Sequence, residues 1–382
     1  MKFSDKLGYL RYLVDKRGMK PVYLIIGLTY DCNSFCRTCF NWELLRKNKE
    51  HELSLDELKQ TFSSLGDLLF VVMSGGEPFL RRDLPDVCEA LATINHVKQI
   101  TIPTGAIASD LIAKSVEATL QRCRETQIVV NLSIDHIGEK HDWIRGVPGN
   151  YERAKKTYAL IGPLREKYAN LTVNVHTCLC TYNADDLDVL FEGVKRDFDG
   201  VSFHSFEMLR GDQPDKNIQP ISTERYRDLL PKLEAYWNSY RNYDGFLKFV
   251  KMYSRRMELA VLEQETQVRP CHAGLVSGVL DARGEVRMCE LREAVGNVRD
   301  TNYDFTKLWF NEAADKQRVA IRAKECHCTH SCFMSSSLVF DVRTWGAYFA
   351  STVVSFLSSS RRGQAPLPVR TSEAPVLHRN SE

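Results

Sequence analysis

Cys32, Cys36 and Cys39 stand in a C-x3-C-x2-C spacing within eight residues. Thiolates this close in sequence are metal ligands, and three of them leave one position of a four-cysteine zinc or cubane shell unfilled. A structural zinc would need a fourth ligand from elsewhere, a distant cysteine or His51. Far downstream lies a second group: Cys271, then Gly284 and Cys289 in a C-x12-G-x4-C spacing, then Cys326, Cys328 and Cys332. Its first part suits a β-hairpin with a thiolate at each end. Four thiolates saturate one cubane, so a fifth is spare or marks a different register. Cys326 and Cys328 are separated by one residue and fall on the same side of an extended strand, so alternation does not choose between them. The expected set is Cys271, Cys289, Cys332 and one of Cys326 and Cys328, the wider C-x5-C spacing leaning to Cys326. A zinc site using His327 or His330 is the structural alternative. Between the two groups, Ser74-Gly75-Gly76-Glu77-Pro78 is too rich in glycine to continue a strand, and its backbone is free to approach a ligand closely.

These residues need a frame. The apolar run Val22 to Leu28 reads as a buried strand, which puts the first cysteines on the loop leaving it. Ser54 and Glu57 form a Ser-x-x-Glu capping box, predicting a helix from Leu55 to about Leu65. A second strand, Leu68 to Met73, runs into the glycine turn. The alternation continues with a helix over Asp83–Ile94, a strand over Lys98–Pro103, a helix over Ala108–Thr126 and a strand over Ile128–Ile134. A helix over Tyr151–Tyr168, a strand over Leu171–Cys180, a helix over Asp185–Asp197 and a strand over Val201–Glu207 complete it. Six strand–helix repeats predict parallel strands with right-handed crossovers, in a partial barrel or an open doubly wound sheet. Either places ligand groups at the carboxyl ends of the strands, so the cysteine loop and the glycine turn face one pocket. Strands four and five alternate polar with apolar, which is unusual for strands covered on both faces. That alternation points Asn131, Ser133 and Asp135, and Asn174, His176, Cys178 and Cys180, into the lumen. A thiol or imidazole there, Cys178 or His176, is a candidate to donate a hydrogen atom or a proton.

The loop, the turn and their places at successive strand ends resemble the radical S-adenosylmethionine (SAM) superfamily over roughly Pro21 to Met334. The resemblance implies an α/β fold, a partial (β/α)6 TIM-like barrel with a small C-terminal cysteine-rich auxiliary-cluster domain. It implies a [4Fe–4S] cluster on Cys32, Cys36 and Cys39 whose open iron takes SAM, with Gly75, Gly76 and Glu77 at the methionyl end. Ser133 would lie near the ribose, and Arg145 in the same region, near the carboxylate. Thr38 stands where relatives carry an aromatic or histidine against the adenine, leaving Phe40 or Phe35 to supply that contact. The third strand ends Pro103-Thr104-Gly105, without an asparagine many relatives carry. The downstream cysteines resemble twitch and SPASM auxiliary domains. Only five are present where a full SPASM domain has seven, so one auxiliary [4Fe–4S] cluster is expected. The implied reaction is reductive cleavage of SAM to a 5′-deoxyadenosyl radical that abstracts hydrogen from an organic substrate. That substrate is expected to be a small molecule, a sugar or a lipid-linked compound, with maturation of a ribosomally made peptide as the alternative. An external one-electron donor such as flavodoxin or ferredoxin is implied.

Composition bounds the rest. The 382 residues exceed what a single core of roughly 250–300 residues accommodates, predicting more than one domain. The expected divisions are a basic amphipathic helix (1–20), the barrel (21–225), a helical connector (226–266), the auxiliary domain (267–335), and an amphipathic segment with a disordered tail from Ser358 (336–382). Charge is nearly even, 51 Lys+Arg against 49 Asp+Glu, which argues against a nucleic-acid-binding iron–sulfur or zinc module. Eight of the twelve cysteines cluster in metal-like spacings, which, without a signal peptide, fits a reducing cytoplasm. No stretch reaches the ~20 apolar residues of a membrane span. The basic N-terminal helix and Trp345–Leu357 are candidates to lie peripherally on anionic lipid.

Overall fold

The computed structural model describes residues 12–13, 16, 18–46, 51–240 and 245–362, with side chains to residue 352. The expected N-terminal helix therefore falls largely outside the described residues. In chain order, two 3-10 turns aside, the elements are β1 (Tyr23–Thr29), α1 (Leu55–Ser64), β2 (Phe70–Gly75), α2 (Leu84–Ile94), β3 (Gln99–Thr104), α3 (Ser109–Arg122) and β4 (Gln127–Ser133). There follow α4 (Gly138–Arg145), α5 (Asn150–Ile161), α6 (Leu164–Lys167), β5 (Leu171–Leu179), α7 (Leu187–Asp197), β6 (His204–Met208), α8 (Thr223–Asn238) and α9 (Gly245–Gln264). The chain continues with β7 (Ser277–Leu280), β8 (Glu285–Arg287), β9 (Ala294–Asn297), α10 (Phe305–Trp309), α11 (Glu312–Arg322), α12 (Ser331–Val339) and α13 (Val342–Arg362).

One sheet carries all nine strands in the order β6-β5-β4-β3-β2-β1-β7-β8-β9. Strands β1 to β6 are parallel throughout, the α/β partial barrel that six repeats predict. β1 is nearly all buried because helices and lumen cover its two faces, as its apolar run requires. The capping box at α1 is formed: the Ser54 amide donates to Glu57 Oε2 at 2.8 Å, and the Glu57 amide to Ser54 Oγ at 3.3 Å. On the far side of β1 the sheet continues. β7 pairs with it in parallel, Tyr23 opposite Ser277, and β8 and β9 follow antiparallel. The hairpin expected between Cys271 and Cys289 is thus present, and it shares its sheet with the barrel across the boundary expected at residue 266.

Three local differences have simple causes. The single helix expected over Tyr151–Tyr168 is two, divided at Gly162-Pro163, where proline has no amide to donate and glycine weakens the preceding turn. Helix α4 has no counterpart in the sequence reading; it is short and polar, and it ends at Gly146 in the left-handed conformation, φ 64°. The tail expected to be disordered from Ser358 continues as helix to Arg362. From Val342 on, the described residues form a unit of their own, in which Phe349 is exposed. Among the described residues, no helix is long and apolar enough to cross a membrane.

Candidate functional site

Cys32, Cys36 and Cys39 are partly buried in the loop leaving β1. Two flanking elements hold that loop through main-chain hydrogen bonds. At the end of β2, the Gly76 amide donates to the Thr29 carbonyl at 2.7 Å and the Glu77 amide to the Asp31 carbonyl at 2.8 Å. A Cβ on Gly76 would overlap the Asp31 carbonyl, so glycine is what allows the turn to sit there. On the other side, the Phe35 amide donates to the Arg145 carbonyl at 3.2 Å and the Arg37 amide to Ile144 at 2.9 Å. The carbonyls left unpaired at the end of α4 thereby find donors in the cysteine loop. Gly146 is required there too, since a Cβ would overlap the Phe35 carbonyl.

Burial pushes Cys32 up to about 11, against an amide hydrogen bond from Ser34, and Cys39 up to about 12, with nearby Cys36 adding to it. Ionised together, these sulfurs need a cation among them. A tetrahedral zinc at about 2.3 Å would hold its sulfurs about 3.8 Å apart. Among the described residues no three cysteine sulfurs lie within 4.8 Å of one another, a spread that suits ligands on separate irons of a cluster.

Beside the loop is a polar recess centred on Gly105. A Cβ there would lie 3.2 Å from Ser34 Oγ, 3.3 Å from an Arg145 guanidinium nitrogen and 3.6 Å from Glu77 Oε2. Glu77 is buried, and burial raises its pKa against three hydrogen bonds: from the Phe79 amide, the Gly105 amide and the Thr104 hydroxyl. It therefore ties the glycine turn to the end of β3. Arg145 donates to Asp135 Oδ2 at 3.2 Å, and Asp135 Oδ1 accepts from the Cys178 amide at 2.9 Å. Arg145 Nε, Ser34 Oγ, Asn33 Oδ1, Asn131 Oδ1 and Asn174 Oδ1 are buried without a hydrogen-bond partner. Buried orphans of this kind, on the cysteine loop, at the end of α4 and along β4 and β5, suit a seat for a polar ligand. A carboxylate, a guanidinium and several amide or hydroxyl groups fit a ligand bearing an ammonium, a carboxylate and hydroxyls, as SAM does. Of the two aromatic candidates for the adenine, Phe35 is exposed beneath Arg46, whereas Phe40 is partly buried with the Arg210 guanidinium 4.5 Å from its ring centroid.

Register aligns the lumen. Ser133 pairs with His176, His176 with Ser205, and Cys178 with Glu207, so residues from β4, β5 and β6 form two rows. His176 Nδ1 lies 2.9 Å from Ser205 Oγ and Nε2 3.5 Å from Glu207 Oε2. Arg210 pairs with Glu207 and, at 3.3 Å, with Glu290 from the cysteine-rich segment. Glu207, Arg210 and Glu290 are functional candidates the sequence reading missed. They come from two segments far apart in sequence, Glu207 and Arg210 from one and Glu290 from the other, and only the inward register of Glu207 hinted at one of them.

Cys271, Cys289, Cys326 and Cys328 line one cavity of about 540 Å³. Burial pushes Cys271 up to about 11 and raises Cys289 and Cys328, with neighbouring cysteines of the same four adding to each. Arg292 and Gln267 approach Cys326 Sγ at 3.9 and 4.0 Å. Cys332 does not line the cavity. It faces Tyr23, Glu207 and Glu290, and burial pushes it up to about 12. The set expected from spacing takes Cys332 and only one of Cys326 and Cys328, whereas both of those line the cavity; Ser331 opens α12, and Cys332 stands in its first turn beside Tyr23 of β1 and Glu207 of β6.

Residues 26–192 match the Radical SAM superfamily. The chain is 26% identical over 302 residues to an AdoMet-dependent heme synthase of Oleidesulfovibrio alaskensis, covering 74% of this chain and 72% of that protein. It is 29% identical over 187 residues to a PqqA peptide cyclase of Rhizobium meliloti, 46% of this chain and 44% of that one. The solved structure of native anSMEcpe with bound AdoMet and a Cp18Cys peptide shares the fold, with a TM-score of 0.58 at 16% identity over 90% of this chain and all of that one.

Proposed function

We propose that this chain, a member of the radical SAM superfamily, holds its SAM-cleaving [4Fe–4S] cluster on Cys32, Cys36 and Cys39 and seats SAM in the recess around Gly105. The observation that carries the assignment is the convergence there of Glu77, Arg145 and the unpartnered Ser34, with Gly76 against the Cys32 side chain. Glu77 supplies negative charge for the methionyl ammonium and Arg145 positive charge for its carboxylate, while Asn131 and Ser133 face the ribose. The bound cofactors supply the one-electron chemistry: cleavage of SAM to a 5′-deoxyadenosyl radical. The chain positions the reacting groups and excludes water from them. Substrate sits over the ends of β4 to β6, where Cys178 and His176 are placed to pass a hydrogen atom or a proton. Cys271, Cys289, Cys326 and Cys328 hold one auxiliary [4Fe–4S] cluster.

The substrate we favour is a small or lipid-linked organic molecule, because the lumen residues are a compact set of charged and imidazole groups. A peptide substrate is the second reading, supported by the relative named for peptide cyclisation. A flavodoxin or ferredoxin is the proposed electron donor, and Phe349 with its neighbours on α13 the proposed contact with a lipid surface. The test is anaerobic incubation with SAM and dithionite. The reconstituted protein is expected to release 5′-deoxyadenosine and methionine, and the Cys32→Ala, Cys36→Ala, Cys39→Ala triple variant to release none. Unchanged cleavage by that variant would refute the assignment.

A further inference from the structure

Assignment of Cys271, Cys289, Cys326 and Cys328 to one cluster leaves Cys332 without a place, and its surroundings give it another. We propose that Glu207, His330 and Cys332 form a mononuclear divalent-metal site between the end of β6 and the start of α12, adjoining the auxiliary cavity, whose wall includes His330. One ligand atom from each of the three lies within 4.8 Å of the others, and among the described residues no other such group occurs. His330 is 1% exposed, and its Nδ1 has no hydrogen-bond partner. That nitrogen stands 3.8 Å from Glu207 Oε1. Its Nε2 lies 2.6 Å from Glu290 Oε2. A carboxylate on one ring nitrogen fixes the proton there and leaves the other nitrogen's lone pair free, the second-shell arrangement usual for metal-bound histidine.

The neighbours are compatible with a cation. Glu207 Oε2 faces His176 at 3.5 Å, and Oε1 also meets Arg210. Arg210 keeps Glu290 at 3.3 Å as a second carboxylate if an ion takes its place on Glu207. The Tyr23 hydroxyl meets Cys332 from the β1 side. Thiolate, imidazole and carboxylate donors select a borderline ion such as zinc or ferrous iron rather than magnesium or calcium. Three protein donors leave a fourth position of a tetrahedral ion for water or a donor atom of a substrate in the lumen.

The experiment is anaerobic equilibration of the reconstituted holoprotein with zinc, removal of free metal, and elemental analysis with zinc-edge absorption spectroscopy. We expect one zinc per chain beyond about eight irons, with one sulfur near 2.3 Å and the remaining ligands nitrogen or oxygen. Cys332→Ser and His330→Gln should each weaken zinc binding at least tenfold with iron content unchanged, and Glu290→Gln should weaken it about 10- to 100-fold. Iron content and far-UV circular dichroism show whether each variant is folded, and Glu290→Gln alters no ligand. Zinc binding indifferent to all three substitutions, a zinc with four sulfur ligands, no zinc retained at micromolar free metal, or loss of about four irons from Cys332→Ser would each overturn the proposal. The last outcome would return Cys332 to the auxiliary cluster and leave the radical SAM assignment untouched.

Discussion

The pair Asp135–Arg145 joins the end of β4 to the cysteine loop, so replacing Arg145 with methionine should damage stability and SAM chemistry together. Asp135 is 1% exposed and the Arg145 side chain 13%. Removing one member of a buried pair strands the other's charge, at a cost of about 3–5 kcal/mol. Asp135 keeps the Cys178 amide at 2.9 Å, which places the expected loss at the lower end, about 3 kcal/mol. The Arg145 guanidinium also lies within electrostatic reach of Cys36 and Cys32, so the variant should hold its cluster less tightly and cleave SAM more slowly. Urea midpoints of the reconstituted protein, followed anaerobically by far-UV circular dichroism, measure the stability term. The refuting result comes from a double-mutant cycle. If Arg145 and Asp135 act as a pair, Arg145→Met combined with Asp135→Asn should cost about 2 kcal/mol less than the sum of the single changes. Additivity within about 0.5 kcal/mol would mean that the two are not coupled.

Gly146→Ala should cost about 1–3 kcal/mol and lower iron occupancy at the first cluster, because a left-handed backbone and the Phe35 carbonyl both exclude a Cβ; iron assay and thermal unfolding check it. In a background lacking Cys32, Cys36 and Cys39, about four irons should remain, and Cys326→Ser or Cys328→Ser should each remove nearly all of them. The hydrogen bonds from Arg299 hold the Glu57 carboxyl down at about 2, from an ordinary value of 4.5. Its folded pKa is depressed, so the stabilisation is complete above about pH 4.5 and is lost as pH falls toward about 2. Glu57→Gln should therefore lower the urea-derived stability by about 1–2 kcal/mol at pH 7, with the deficit shrinking at pH 3.

The barrel was legible because its strands carry their own signal. Residues 22–28 and 68–73 are apolar runs that make sense only when both faces are covered, and the capping box at Ser54 marks its helix locally. Helix α4 left no such trace. It is short and polar, and what stabilises it is the cysteine loop, whose Phe35 and Arg37 amides close its carbonyl end. The sheet's continuation through β7 was equally silent, since a four-residue strand beside β1 is specified by pairing 254 residues away, Tyr23 opposite Ser277, rather than by its own pattern.

The site divides the same way. Cys32, Cys36, Cys39, Gly76 and Glu77 were readable because ligand spacing and turn chemistry are written within a few residues. Glu207, Arg210, Glu290 and His330 meet only in space, one buried charge network drawn from β6, the loop after it, the hairpin and α12. Spacing and structure part at Cys332, which the C-x5-C spacing joins to Cys326 and the structure sets outside the cavity that Cys326 lines. A chain that enters a helix at Ser331 sets the next side chain on a helical turn, while Cys326 and Cys328 stand on the segment before it, so spacing alone does not say which thiols share a cavity. The same turn sets Cys332 beside His330 and Glu207. The iron content of Cys332→Ser reads directly whether that thiol serves the auxiliary cluster or the site beside it.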